Sequence, residues 1–218
     1  MKVLGISGSP RKDHSTDRLV KEVLNAIGGE TEFVSLAGKR IGPCIACLGC
    51  INDNTCKVSD EMQGLRQKIV EADAYVIGAA NYYSMLNGLS HCFLERFYQF
   101  RHQEGKALAG KLGVAVGVGG SSGDKSVENI KTFFDYNEIE CVGTVSGQGA
   151  ASCFSCGYCE TCKVGAVHMF FEPGTMVTPE IIPNLDKQPE ALMQARSLGK
   201  MLGERLRGIA DAKWEVTG

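Results

Sequence analysis

The sequence is poor in aromatic residues and nearly balanced in charge. Only 7% of its 218 residues are Phe, Trp or Tyr, the formal net charge is −2 and the pI is about 6.1. A nucleic-acid-binding surface needs clustered basic charge, and an anionic membrane attracts the same feature. We therefore expect neither nucleic acid nor a membrane surface as a partner.

Long hydrophobic runs are also missing. No stretch approaches the roughly 18 consecutive apolar residues that a membrane-spanning helix needs. The apolar residues at 1–7 are few and end in a Gly-Ser-Pro turn, unlike the longer apolar region of a secretory signal. These features predict a cytoplasmic protein.

Cysteine, in contrast, is abundant. The chain has 10 cysteines, and all but Cys92 and Cys141 fall into two short tracts. A reducing compartment argues against a disulfide framework. Clustered cysteines in such a compartment indicate metal or iron–sulfur ligation, whereas Cys92 and Cys141 are expected to be small core residues.

Short apolar runs alternate with segments of helical periodicity along the chain. This alternation predicts a doubly wound α/β fold with a five-stranded parallel sheet. One domain, 1–218, would carry cysteine-rich insertions at 38–59 and 147–185. Ligands of such folds bind at the carboxyl ends of the strands. The predicted strands are 2–7, 32–36, 73–79, 111–118 and 139–146, and the predicted helices are 19–27, 60–72, one ending near 101, 127–137 and 189–209.

The loop after the first strand has the composition of an anion site. Gly8-Ser9-Pro10-Arg11 is followed by His14-Ser15-Thr16 and then by a helix. Small residues let backbone amides approach a phosphate, and the helix N-terminus favours negative charge. A solvated turn capped by Ser or Thr is the alternative.

The motif GISGSPR with Ser15-Thr16 resembles the NADPH-dependent FMN reductase and iron–sulfur flavoprotein families, which are flavodoxin-like. The resemblance extends over about 150 residues. It implies FMN, bound at three loops that follow strands, although the second loop lacks the family's usual proline. The implied cofactor residues are Ser7, Ser9, Pro10, Arg11, Ser15, Thr16, Ala80, Asn81, Tyr82, Tyr83, Ser84, Met85, Gly119, Gly120, Ser121 and Gly123.

The first cysteine tract is the most specific chemical signal in the chain. Cys44, Cys47, Cys50 and Cys56 follow the spacing C-x2-C-x2-C-x5-C. A compact triplet with a separated fourth cysteine is typical of a [4Fe–4S] cluster. Structural zinc prefers paired knuckles that lie far apart in sequence, so the cluster is favoured over zinc. The iron–sulfur flavoproteins resemble this arrangement closely.

The second tract comprises Cys153, Cys156, Cys159 and Cys162 at equal three-residue steps. Its last gap is one residue shorter than in the bacterial ferredoxin run. A second cluster, a zinc site and a thiol patch without metal all remain open. His168 lies nearby in sequence and is a further candidate ligand.

No acid–base dyad or nucleophile–histidine pair stands out, so the chemistry is assigned to cofactors. The resemblance implies an oxidoreductase that passes electrons between NAD(P)H or a ferredoxin-like protein and an acceptor, working as a homodimer or homotetramer. An NAD(P)H-dependent FMN or quinone reductase is one alternative. Another is a flavin dehydrogenase in which the cluster accepts electrons from the reduced flavin. A zinc-binding interaction module without turnover belongs to another class.

Overall fold

One sheet of six strands forms the centre of the molecule. The computed structural model describes the backbone of residues 1–217 and the side chains of residues 1–212. Five strands are parallel in the order β2-β1-β3-β5-β6, and β4 pairs with β3 in antiparallel fashion. This parallel order is that of the flavodoxin-like fold, which confirms the predicted fold class. The strands are β1 (Lys2–Ser7), β2 (Glu30–Ser35), β3 (Ala74–Tyr82), β4 (Met85–Leu86), β5 (Leu112–Gly119) and β6 (Glu140–Gln148).

Helices cover both faces of this sheet. Helices α1 and α5 share one hydrophobic core with alternate residues of the strands. Helices α2, α3 and α4 share the other core, on the opposite face. The helices are α1 (Ser15–Asn25), α2 (Gln63–Glu71), α3 (Gly88–Glu95), α4 (Asp124–Tyr136) and α5 (Pro189–Thr217). None of the helices within residues 1–217 combines the length and the apolar character that crossing a bilayer requires.

The central strands are apolar on both sides because each side meets a core. In β3, Tyr75 and Ile77 pack into one core and Val76 into the other, and all three are buried. Burying a large aliphatic side chain contributes about 1.5–3 kcal/mol. The uninterrupted apolar runs in the sequence therefore mark the middle of the sheet, as parallel strands require.

Helices α1 and α5 approach each other unusually closely. A Cβ atom on Gly199 would lie 2.2 Å from the Val23 carbonyl oxygen, and one on Gly203 would lie 2.1 Å from that of Ile27. No side chain fits at either position. These two glycines therefore let the backbone of α5 rest directly on α1.

The second strand-end loop is more ordered than its sequence suggests. It forms a hairpin in which Tyr82 pairs with Met85 across the two residues Tyr83 and Ser84. Both turn residues have positive φ, 54° and 61°. That is the backbone of a type I′ turn, which usually contains Asn and Gly. Strand β4 was not predicted because neither of these turn residues is present.

Candidate functional site

A cleft of about 690 Å³ lies at the carboxyl edge of the sheet. The predicted phosphate loop, the β3–β4 hairpin and the loop after β5 form three of its walls. The fourth wall consists of residues 149–152, which follow β6, and of Ala166, Met169 and Phe170. Four of the five parallel strands, β1, β3, β5 and β6, thus deliver a loop to one cavity, as expected for a doubly wound sheet.

The phosphate loop is held in shape by its own polar groups. Ser9 Oγ accepts a hydrogen bond from the Arg11 backbone N–H at 3.1 Å. The Arg11 guanidinium donates to the Ala150 carbonyl at 2.8 Å and so ties this loop to the segment after β6. No side chain caps helix α1 at His14, which leaves the first-turn amides available to an anion.

The hairpin and the loop after β5 are joined by Asn81. Its Nδ2 donates to the Ser122 carbonyl at 2.8 Å, whereas its buried Oδ1 has no hydrogen-bond partner. A Cβ atom on Gly119 would lie 2.0 Å from that same carbonyl oxygen. Glycine is therefore required for this approach, and Asn81 offers an unused acceptor at the cleft.

Asn87 supports two of these loops from below and was not predicted. It is 2% exposed. Its Nδ2 donates to the Gly8 carbonyl at 2.8 Å, and its Oδ1 accepts from the Ala80 N–H at 3.2 Å and from the Ser90 hydroxyl at 2.7 Å. Each of these three hydrogen bonds therefore fixes either a loop of the cleft or the start of α3.

Most of the predicted flavin residues share this one cleft. Four do not line it: Ser7 is buried beneath it, Pro10 and Met85 are exposed beside it, and Gly123 packs on Gly117 at the start of α4. The predicted residues that do line the cleft are Ser9, Arg11, Ser15, Thr16, Ala80, Asn81, Tyr82, Tyr83, Ser84, Gly119, Gly120 and Ser121.

The cleft fits flavin mononucleotide in volume and in chemistry. Its 690 Å³ lies within the range of about 300–1,000 Å³ that cofactor sites occupy. Arg11, the hydroxyls of Ser9, Ser15 and Thr16, and the start of α1 suit a phosphate. The buried, unpartnered Asn81 Oδ1 suits the imide N–H of a flavin ring.

The first cysteine tract forms a loop on the outside of the 3₁₀ helix Arg96–Phe100. Cys44 and Cys47 are exposed, and Cys50 and Cys56 are half-buried. Burial raises the pKa of the Cys50 thiol, and so does its proximity to the Cys56, Cys44 and Cys47 sulfurs. The Cys50 thiol therefore has the other three thiols in its vicinity.

Left-handed residues fold this loop back on itself. Ala46, Leu48 and Asn54 have φ between 50° and 57°, a conformation that non-glycine residues rarely adopt. The Cys44 N–H donates to Glu95 Oε2 at 3.0 Å, and the Cys56 N–H donates to Gln99 Oε1 at 3.1 Å. Both ends of the tract are thus bound to one helical segment.

Arg96 lies beneath this loop and is 1% exposed. Burial opposes its charge, but the hydrogen bond with Asp60 and the proximity of the Cys56 sulfur outweigh that effect and raise its pKa. Its Nε has no hydrogen-bond partner that meets normal geometry. A buried cation close to Cys56 suits a site that gathers negative thiolates.

The second tract forms a small core of its own against the cleft. Cys159 is 5% exposed and packs with Phe154 and Val167, whereas Cys156 is exposed. His168 Nε2 donates to the Cys159 carbonyl at 2.8 Å, which engages the only histidine predicted as a ligand.

Neither tract shows its thiols converged on a single point. Within the described residues, no set of three or more His, Cys, Asp or Glu side chains is arranged to hold one metal ion. The lone cysteines Cys92 and Cys141, predicted to lie in the core, are each half-buried.

Comparison with known proteins places the first 151 residues in context. The sequence pattern of the family described as NADPH-dependent FMN reductase matches residues 1–151. An iron–sulfur flavoprotein of Methanocaldococcus jannaschii is 38% identical over 149 residues, which are 66% of this chain and 76% of that protein. An iron–sulfur flavoprotein of Methanosarcina thermophila is 30% identical over 64% of this chain and 74% of its own length.

Solved structures agree on the fold. A flavone reductase superposes with a TM-score of 0.59 at 18% identity, over 96% of this chain and 64% of that one. The matched family region ends at residue 151, immediately before the second cysteine tract.

Proposed function

Since this chain belongs to the NADPH-dependent FMN reductase family and is a flavin-dependent oxidoreductase related to iron–sulfur flavoproteins, we propose that it transfers electrons through FMN and one [4Fe–4S] cluster. The donor is NAD(P)H or a ferredoxin-like protein. The observation that carries this proposal is the pairing of a phosphate-binding cleft with a complete four-cysteine loop in one chain.

In this proposal the phosphate end of FMN lies at the start of α1. Arg11 forms a charge-assisted hydrogen bond with the phosphate, and the hydroxyls of Ser9, Ser15 and Thr16 donate to it. The first-turn amides of α1 add partial positive charge. These residues bind and orient the cofactor and take no part in bond making.

Residues of the hairpin and of the loop after β5 position the flavin ring. Asn81 Oδ1 accepts from the ring imide, and Gly119 and Gly120 let the ring approach the backbone. Met169 and Phe170 line the same cleft and restrict the access of water. When bound, FMN supplies hydride acceptance and the release of single electrons.

Cys44, Cys47, Cys50 and Cys56 are the proposed ligands of the cluster, which carries one electron at a time. Burial and the neighbouring thiols oppose the loss of the proton from Cys50, and iron would offset that effect on binding. Arg96 supports the set from below. No residue of the loop 38–59 lines the flavin cleft, so the two sites of one chain are separate.

We propose a homodimer or homotetramer in which the cluster of one subunit approaches the flavin of another. Large apolar side chains are exposed on the cysteine loop and on the hairpin: Ile45 is 63% exposed, Leu48 61% and Tyr83 96%. In this assembly the partner subunit would cover these side chains. Sedimentation velocity tests the assembly, and a monomer that retains full activity would contradict it.

Anaerobic purification followed by assay of FMN, iron, acid-labile sulfide and zinc tests the cofactors. We expect one FMN with at least about four irons and four sulfides per chain. Cys47→Ser should remove the visible absorbance of this cluster, whereas Cys141→Ser, which alters a lone cysteine, should not. Protein that contains flavin but no iron would support an FMN or quinone reductase without a cluster. Protein that contains zinc but no sulfide would support a zinc-binding interaction module.

A further inference from the structure

We propose that Cys153, Cys156, Cys159 and Cys162 bind a second iron–sulfur cluster beside the flavin cleft. This site goes beyond the proposed function, because its residues follow position 151, where the family match ends. It uses none of the ligands of the first tract. Its occupant is a cluster held by four thiolates and no histidine.

The first and last cysteines of the tract meet at one peptide. The Ala166 N–H donates to Cys153 Sγ at 3.2 Å. A Cβ atom on the preceding residue, Gly165, would lie 3.4 Å from Cys162 Sγ. Sulfurs nine residues apart in sequence therefore flank the Gly165–Ala166 peptide, and a backbone N–H already donates to one of them, as N–H groups do to cluster sulfurs.

The other two cysteines complete the same turn. Cys159 points into the small core and is fixed there, since its carbonyl accepts from His168. Cys156 Sγ donates to the Cys153 carbonyl at 3.3 Å and is exposed. The four sulfurs do not yet surround one point in the described residues. Rotamer changes at Cys156 and Cys159 are the adjustment that would bring their sulfurs to those of Cys153 and Cys162.

The backbone around the tract is anchored at both ends. The Arg11 guanidinium holds Ala150, and Lys187 Nζ donates to the carbonyls of Pro179, Glu180 and Ile182 at 2.6–3.0 Å. Gln188 exchanges side-chain hydrogen bonds with both backbone groups of Gln148. These contacts keep a segment that is mostly irregular in one position.

Spacing and location favour a cluster over zinc. Structural zinc uses two separated knuckles, whereas this tract has four cysteines within ten residues and three equal steps. Ala166, whose N–H binds Cys153, also lines the flavin cleft. A one-electron centre beside the flavin cleft could exchange electrons with the flavin. A structural zinc ion is redox-inactive, so the same location would serve no purpose for it.

Iron and sulfide content per chain tests the proposal after anaerobic reconstitution. We expect about eight irons and eight sulfides in the unaltered protein. The double variant Cys156→Ser/Cys162→Ser should retain about four irons, and so should Cys47→Ser. Cys141→Ser should retain all of them. Electron paramagnetic resonance of the dithionite-reduced unaltered protein should show two interacting spins. Each variant that keeps only one cluster should show a single spin.

The two cluster assignments can fail independently. Four irons that survive Cys47→Ser but not the double variant would support the second site and contradict the first. Four irons that survive the double variant but not Cys47→Ser, with no more in the unaltered protein, would overturn this proposal. Zinc that is lost only in the double variant would also overturn it. Iron retained in the double variant reports that the rest of the chain is folded.

Discussion

The carboxylate of Asp60 lies 2.5 Å from Nη1 of Arg96, whose side chain is completely buried. This pair joins the two ends of the first cysteine loop. Asp60 accepts from the Gly42 and Met62 N–H groups at 3.0 and 3.1 Å, and Arg96 donates to the Gly42 and Val58 carbonyls at 3.2 and 3.4 Å. The Asp60–Arg96 ion pair and its hydrogen bonds thus hold the two ends of the loop together without any metal.

Replacing Arg96 with Gln should therefore leave Asp60 without its buried partner. Breaking such a pair by removing one member costs about 3 kcal/mol. We expect that loss in the free energy of unfolding by chemical denaturation, together with lower iron content. Lys125→Gln breaks an exposed pair with Glu128 and should change stability by at most about 0.5 kcal/mol. Equal effects of the two substitutions would contradict the role of the buried pair.

Arg11→Ala should weaken FMN binding. Loss of a hydrogen bond to a charged group costs about 1.5–3 kcal/mol, so the dissociation constant should rise roughly ten- to a hundredfold. Flavin fluorescence titration of the flavin-free protein measures this change. Riboflavin lacks the phosphate, and its affinity should hardly change. Lys12→Ala alters a neighbouring cation that does not line the cleft and should leave both affinities intact.

Asn87→Asp should destabilise the cleft even without flavin. The change removes the amide donor and places a carboxylate oxygen against the Gly8 carbonyl, where neither water nor another donor can reach it. We expect a loss of about 3 kcal/mol in the free energy of unfolding. Asn25→Asp, at an exposed position of α1, is the matched control. A loss no larger than that of the control would show that Asn87 is dispensable.

Ser84→Gly should stabilise the β3–β4 hairpin. Ser84 has φ 61°, and a residue with a Cβ atom pays about 1 kcal/mol for this conformation, whereas glycine does not. Ser84→Ala keeps the Cβ atom and should give no gain. Chemical denaturation of both variants separates relief of strain from loss of the hydroxyl. A gain in both would assign the effect to the hydroxyl instead.

The sheet could be predicted because its strands are buried on both faces. Runs such as 74–80 and 112–118 have no polar alternation, and the segments between them have helical periodicity. Strand β4 could not be predicted, because Tyr83 and Ser84 adopt positive φ under tertiary constraint rather than by their own preference. Helix α5 extends beyond its predicted end at 209 and ends at Thr217.

Three walls of the cleft could be predicted from strand-end composition, whereas only part of the fourth wall left a signal in the sequence. Gly149 follows β6 and obeys the same carboxyl-edge rule, so its position gave a usable signal. Met169 and Phe170 reach the cleft only because the second cysteine tract folds back on itself, and no local pattern encodes that path. Asn87 was missed because a buried asparagine looks like any turn residue in sequence.

The close contact between α1 and α5 has a consequence for synthesis. The apolar face of α1 is completed by residues such as Leu198 and Leu202, which the ribosome adds some 170 residues after that helix. Until then the first βα unit presents uncovered apolar surface to the cell. The nascent chain is therefore most prone to aggregation or chaperone capture just before its last helix emerges.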